Sequence, residues 1–205
     1  MKKIILSALL LVLPCTSSAE DLSGVYVGVS GGLATLNGVN YTQKIANSIA
    51  GLGYTSTFVK TKHRSVSYKV FAGYNINEKF AVEVFYSNLG SYNITLATTG
   101  PVRSGTGSNK VKAYGVDVLA KLPIAETNSM YLRVGYFQAK FNSMTTANLI
   151  KGSNINVSSK SSNVKFGVGG DYGLTENWSV RTDWEYYNVP STPINVFSLG
   201  LVANF

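Results

Sequence analysis

The chain has 1 cysteine, 1 histidine and 5 prolines in 205 residues. The cysteine, Cys15, lies within an N-terminal apolar segment. The rest of the chain therefore cannot form a disulfide, a thiolate metal site or a cysteine nucleophile. The histidine, His63, sits in a basic stretch from Lys60 to Arg64, with no serine or acid spaced to suggest a nucleophilic triad. No metal-ligand cluster stands out, and neither a cofactor nor enzyme activity is expected. Acid is scarce as well: 10 Asp and Glu face 18 Lys and Arg, a formal charge of +8. Long hydrophobic runs are missing, and no segment approaches the roughly 20 apolar residues that a spanning helix needs.

The N-terminus has a different character. Lys2 and Lys3 precede the apolar run Ile4 to Leu13, and Ser17, Ser18 and Ala19 follow as a small-residue exit. That order is a secretory signal peptide, expected over residues 1–19 and cleaved after Ala19. Pro14 ahead of Cys15 argues against a lipoprotein. Residues 20–205 then form one exported domain. Glycine and tyrosine are abundant in it, and no helical stripe or solenoid repeat is visible.

Phe197 to Phe205 (FSLGLVANF) alternates strictly, with apolar Phe197, Leu199, Leu201, Ala203 and Phe205 on one face of a strand. Similar runs recur near Gly24–Leu33, Ser65–Ile76, Phe80–Leu89, Val111–Leu122, Met130–Phe141, Val164–Leu174, Trp178–Asn188 and Ile194–Phe205. The connections alternate in length. Asn77–Lys79, Pro123–Ser129 and Thr175–Asn177 are short, whereas Ala34–Arg64, Gly90–Lys110 and Asn142–Asn163 are long. Short turns at one end and long loops at the other predict an all-β fold, an eight-stranded antiparallel up-and-down transmembrane β-barrel. The aromatic end of the closing strand, Phe205, is expected to serve as the assembly signal read by the barrel-assembly machinery.

Alternation alone does not say which face points inward. Tyr68, Tyr74, Phe80, Tyr86, Tyr114, Tyr136, Phe166, Tyr172, Trp178 and Tyr186 share the parity of the aliphatic residues and cluster near strand ends. Two aromatic girdles around a lipid-facing band account for this placement. The opposite face carries Lys69, Lys121, Arg133, Lys165 and Arg181 with Glu83, Asp117, Asp171, Asp183 and Glu185, plus glycines such as Gly28, Gly73, Gly135 and Gly167. An eight-stranded barrel is filled by its own side chains, so these balanced charges are expected to pair within the lumen.

Several segments carry a family resemblance. FAVEVFYSNLGS (Phe80–Ser91), KAYGVDVLAKLPI (Lys112–Ile124), MYLRVGYF (Met130–Phe137), VGGDYGLTENWSVRTDWEY (Val168–Tyr186) and SLGLVANF (Ser198–Phe205) resemble, in order, strands three to eight of the outer membrane protein A transmembrane domain. The resemblance covers most strands and none of the long loops. It implies lumen ion pairs that can act as a gate: Glu83 with Arg181 and Lys121 with Asp171, with Arg133 and Asp183 also at charged lumen positions. The peptidoglycan-binding domain of that family is not expected, since the chain ends at Phe205. A stand-alone barrel of the opacity type is the nearer comparison.

Outside the signal, the lumen and the short turns, the basic residues are Lys44, Lys60, Lys62, Arg64, Arg103, Lys110, Lys112, Lys140, Lys151 and Lys160. All lie in or beside the long loops, which contain no acid. Such a face favours anionic partners: outer-membrane lipids and lipopolysaccharide phosphates, or host glycans and polyanions. Nucleic acid is excluded by compartment. Gly105 to Lys110 resembles a phosphate loop superficially but lacks the spacing and the following helix, and it reads as flexible loop. The expected role is envelope integrity with adhesion or host contact through the loops. A narrow gated porin for ions or small solutes is the alternative.

Overall fold

The computed structural model describes residues 24–36, 57–61, 63–98, 105–125, 127–147, 153–189 and 193–205. The expected signal peptide lies outside them. The elements are strands: β1 (Val25–Leu36), β2 (Thr57–Thr61), β3 (Arg64–Asn75), β4 (Phe80–Thr98), β5 (Gly105–Ala125), β6 (Asn128–Ala147), β7 (Ser153–Gly173), β8 (Trp178–Tyr187) and β9 (Ile194–Asn204). The sheet runs β4-β3-β1-β9-β8-β7-β6-β5 and closes through a β4–β5 pairing. β2 pairs with β4 beyond the end of β3, as Thr61 opposite Ile94, so it prolongs the β3 stave. The result is a closed antiparallel barrel of eight staves with no free edge within the membrane.

The period-two pattern sets the two faces. Along β8, Ser179, Arg181, Asp183, Glu185 and Tyr187 are buried, while their neighbours are exposed or half-exposed. Aliphatic side chains such as Val84, Val118, Leu132, Val134 and Leu199 face outward and are exposed. Tyr74, Phe80, Tyr172 and Trp178 ring one end of that band, and Tyr68, Tyr114, Tyr136 and Phe166 ring the other. Exposed apolar surface of this extent is what hydrocarbon, not water, covers.

Short turns close one end. Asn77 Oδ1 accepts bonds from the amides of Lys79 and Phe80, each at 2.8 Å. Thr175 Oγ1 accepts the Trp178 amide at 3.1 Å. The chain termini meet at this end: Gly24 N donates to the Phe205 carbonyl at 3.2 Å, and Phe205 N donates to Val25 O at 3.0 Å.

The long connections differ from the loops expected. β4 and β5 stay paired as far as Leu96 opposite Gly105, and β6 and β7 as far as Ala147 opposite Ser153. Gly105 to Lys110, expected as flexible loop, is part of the β5 ladder. In these upper segments the hydrophobic alternation of the sequence stops while backbone pairing continues. A bulge between Asn88 and Gly90 marks the transition. Gly90 adopts φ +100 there, Asn88 Oδ1 accepts its amide at 3.0 Å, and both Leu89 and Tyr92 turn inward.

Candidate functional site

The interior is built in two layers. The layer toward the short turns is an ion-pair lattice. Arg133 on β6 is its hub: Nη1 donates to Glu185 at 2.8 Å and to Asp117 at 3.2 Å. Its Nη2 stands 3.1 Å from Glu83 and 3.3 Å from Asp183, at ion-pair distance but without hydrogen-bond geometry. Lys165 bridges Asp117 at 2.8 Å and Glu185 at 2.7 Å, and Lys69 reaches Glu185 at 3.0 Å and Asp183 at 3.3 Å. Arg181 grips Asp171 through two bonds, of 2.7 and 2.8 Å, and also contacts Glu83.

Aromatic side chains fill the space between these charges. Tyr26 donates to Glu83 at 2.9 Å and Tyr131 to Asp183 at 2.7 Å. The Arg181 guanidinium lies near the rings of Phe71 (4.7 Å), Tyr131 (5.0 Å) and Tyr26 (5.3 Å), and Lys165 sits 3.6 Å from the centre of Phe85. Lumen glycines make room for them. A methyl group at Gly73 would run into the Tyr26 ring, and one at Gly135 into the Asp117 carboxylate. Charges this deeply buried persist only when each has a partner, and the lattice supplies one to every buried ion.

The second layer, toward the long connections, is apolar. Phe85, Phe137 and Tyr187 meet edge to face, with ring centres 6.4 and 5.2 Å apart around Tyr187. Above them Leu36, Leu89, Tyr92, Val111, Ala139, Val189 and Ile194 are buried together. The lumen is thus closed by charge pairs below and hydrocarbon above.

The structure brings Glu83, Arg133, Asp183, Arg181 and Asp171 into one network. The expected pairing of Lys121 with Asp171 is not among the ion pairs of the described residues. Asp171 stands directly opposite Arg181 on the next strand, whereas Lys121 is two strands away and donates to Asn75 at 3.0 Å. The interior aromatics Tyr26, Phe71, Phe85, Tyr131, Phe137 and Tyr187 were not expected in the lumen. Their sequence signal was an inward parity that the lipid-facing tyrosines overshadowed.

Of the basic outer residues, Arg64, Lys110 and Lys160 are exposed on β3, β5 and β7. Lys60 lies on β2 opposite Thr95, and Lys62, Arg103 and Lys151 lie outside the described residues. His63 is exposed beside Arg64, and its carbonyl accepts the Leu36 amide at 2.8 Å.

A closed barrel with a lipid-facing aliphatic band, two aromatic girdles and a solid interior is a small integral protein of the Gram-negative outer membrane. The chain belongs to the outer membrane protein beta-barrel domain family, whose model matches residues 5–205. It is similar to outer membrane protein A of Serratia marcescens, at 30% identity over 149 residues. That match covers 66% of this chain and 38% of the relative, so the chain spans well under half the length of that protein. Among solved structures, Ail, the attachment invasion locus protein of Yersinia pestis, superposes with a TM-score of 0.57 at 12% identity, covering 89% of this chain and 99% of the other. Neisserial surface protein A superposes with a TM-score of 0.53 at 17% identity, covering 89% and 98%. Those two likenesses define the fold.

Proposed function

We propose that this barrel is a structural and surface-interacting protein whose contacts are made by the basic outer rim. The observation that carries this reading is the segregation of charge. All acidic residues lie in the strands of the lumen, in the short turns or near the N-terminus, while Lys60, Lys62, Arg64, Arg103, Lys110, Lys151 and Lys160 belong in sequence to the long connections, with no carboxylate among them. An unneutralised cationic rim attracts sulfated or phosphorylated partners, steeply at low salt. Ail has been crystallised with the heparin analogue sucrose octasulfate, so a barrel of this shape can hold a polyanion. For this chain the charges themselves make the case.

The test is binding of the refolded barrel to heparin and to sucrose octasulfate at two ionic strengths. Binding should weaken as salt rises and vanish when Arg64, Arg103, Lys110 and Lys151 are changed together to glutamine. Unchanged binding by that variant overturns the reading.

The competing role is a narrow porin gated at Glu83 and Arg181. It requires both the ion lattice and the apolar layer to part. Sustained single-channel openings in a planar bilayer, altered by Glu83→Ala, would put this role first. A silent, folded barrel leaves the function with the rim.

A further inference from the structure

The β-ladder aligns three of the lysines. Lys112 on β5 pairs directly with Lys140 on β6, and Lys140 pairs directly with Lys160 on β7. Neighbouring strands lie about 4.8 Å apart, so the outer two backbones are about 10 Å from each other. Like charges placed directly opposite repel and destabilise a sheet. No acidic residue occurs in any of the long connections, so no carboxylate of this rim offsets the row.

The position of the row is as specific as its charge. All three lysines have outward parity: Val111 and Ala113 beside Lys112, and Ala139 beside Lys140, are buried, while Lys140 and Lys160 are exposed. The cross-strand rows on this wall form a graded series. Val116, Tyr136 and Val164 lie at the upper edge of the lipid band, followed by Tyr114, Gln138 and Ser162, and then by the lysines. Tyr114 donates to Gln138, which donates to Ser162 at 3.4 Å, so this middle row is bonded across. Each row is about 7 Å further along the strand. The lysines therefore emerge sideways, just above the upper aromatic girdle, at the depth of the lipid headgroups.

We propose that Lys112, Lys140 and Lys160 form a clamp for the phosphate groups of an outer-leaflet phosphoglycolipid, the lipid A headgroup of lipopolysaccharide. Three ammonium groups side by side suit a multiply charged headgroup lying flat against the wall. The mutual repulsion of the lysines becomes binding energy once the phosphates arrive. The sideways orientation distinguishes this occupant from a soluble polyanion approaching from above. The clamp does not depend on the polyanion reading, and only Lys160 is common to the two residue sets.

The decisive experiment titrates the purified, folded barrel with fluorescent lipid A, and with lipid A stripped of its phosphates. Changing Lys112, Lys140 and Lys160 together to glutamine should weaken lipid A binding on the order of a hundredfold, about fivefold per lysine. The corresponding triple arginine variant should bind like wild type, as should a Lys151→Gln and Arg103→Gln double variant. Dephosphorylated lipid A should bind wild type as poorly as lipid A binds the glutamine variant. A glutamine variant that is folded in phosphatidylcholine vesicles yet binds within about twofold of wild type overturns the clamp. So does equal binding of the dephosphorylated glycolipid. Loss of heparin binding with lipid A binding retained would separate the clamp from the rim.

Discussion

The lumen and the outer rim use the same charged residue types to opposite ends. Inside, four buried cations (Lys69, Arg133, Lys165, Arg181) share a closed space with four buried anions (Glu83, Asp117, Asp183, Glu185). Outside, a comparable group of cations stands with no acid at all. The lumen charges have little freedom to do anything but hold one another, because separating a buried ion from its partner costs several kcal/mol. The long connections that carry the rim charges contain no carboxylate for them to hold. One region spends its charge on cohesion and the other leaves it for a ligand. A lysine's environment, not its identity, decides which of these it does.

The comparison breaks most visibly at Arg133, which touches four carboxylates within 3.3 Å. Arg133→Met removes the hub and leaves Glu83, Asp117, Asp183 and Glu185 short of positive charge. The expected loss is about 3–5 kcal/mol, read as the shift in a reversible urea unfolding curve in lipid vesicles. A loss below about 1 kcal/mol would mean that the lattice is not cohesive. Glu83→Gln should cost less, about 2–3 kcal/mol. Arg181 keeps its two bonds to Asp171, and Arg133 keeps three other acids. In a planar bilayer this variant should stay silent, because the apolar layer around Tyr187 is untouched.

Much of this arrangement was legible in the sequence, and for one physical reason. Within a membrane the two faces of a strand meet lipid and lumen, and a period of two records that difference residue by residue. The eight staves and the inward parity of Glu83, Arg133, Arg181 and Asp183 followed from it. Parity does not give height or angle around the barrel, however. The resemblance assigned Asp171 to Lys121, whereas the register places Arg181 directly opposite it. The upper parts of β4 to β7 were hidden for the converse reason: their serine, threonine and asparagine carry no hydrophobic alternation, although the backbones stay paired. The row of Lys112, Lys140 and Lys160 is invisible in the chain, where they lie 28 and 20 residues apart, and appears only in the ladder.

Aromatic partners sharpen the comparison within the lumen itself. Tyr131→Phe keeps the ring beside Arg133 and Arg181 and removes the bond to Asp183. A hydrogen bond to a charged acceptor contributes about 1.5 kcal/mol, and the unfolding free energy should fall by that much. The equivalent loss of a hydroxyl at Tyr136, exposed on the lipid face, should lie within about 0.5 kcal/mol of zero.

The smallest expected effect is the most diagnostic, because its sign reverses. Lys140 has a lysine on either side, so Lys140→Gln relieves two like-charge contacts and removes no ion pair. In phosphatidylcholine vesicles the variant should be more stable than wild type by about 0.5 kcal/mol. Adding lipopolysaccharide should erase or invert that advantage, because wild type then gains phosphate contacts that the variant lacks. Every buried lumen cation should behave the other way, destabilising when neutralised in both lipids. A Lys140 variant that is less stable than wild type in phosphatidylcholine alone would mean that the rim, like the lumen, holds its charge for cohesion.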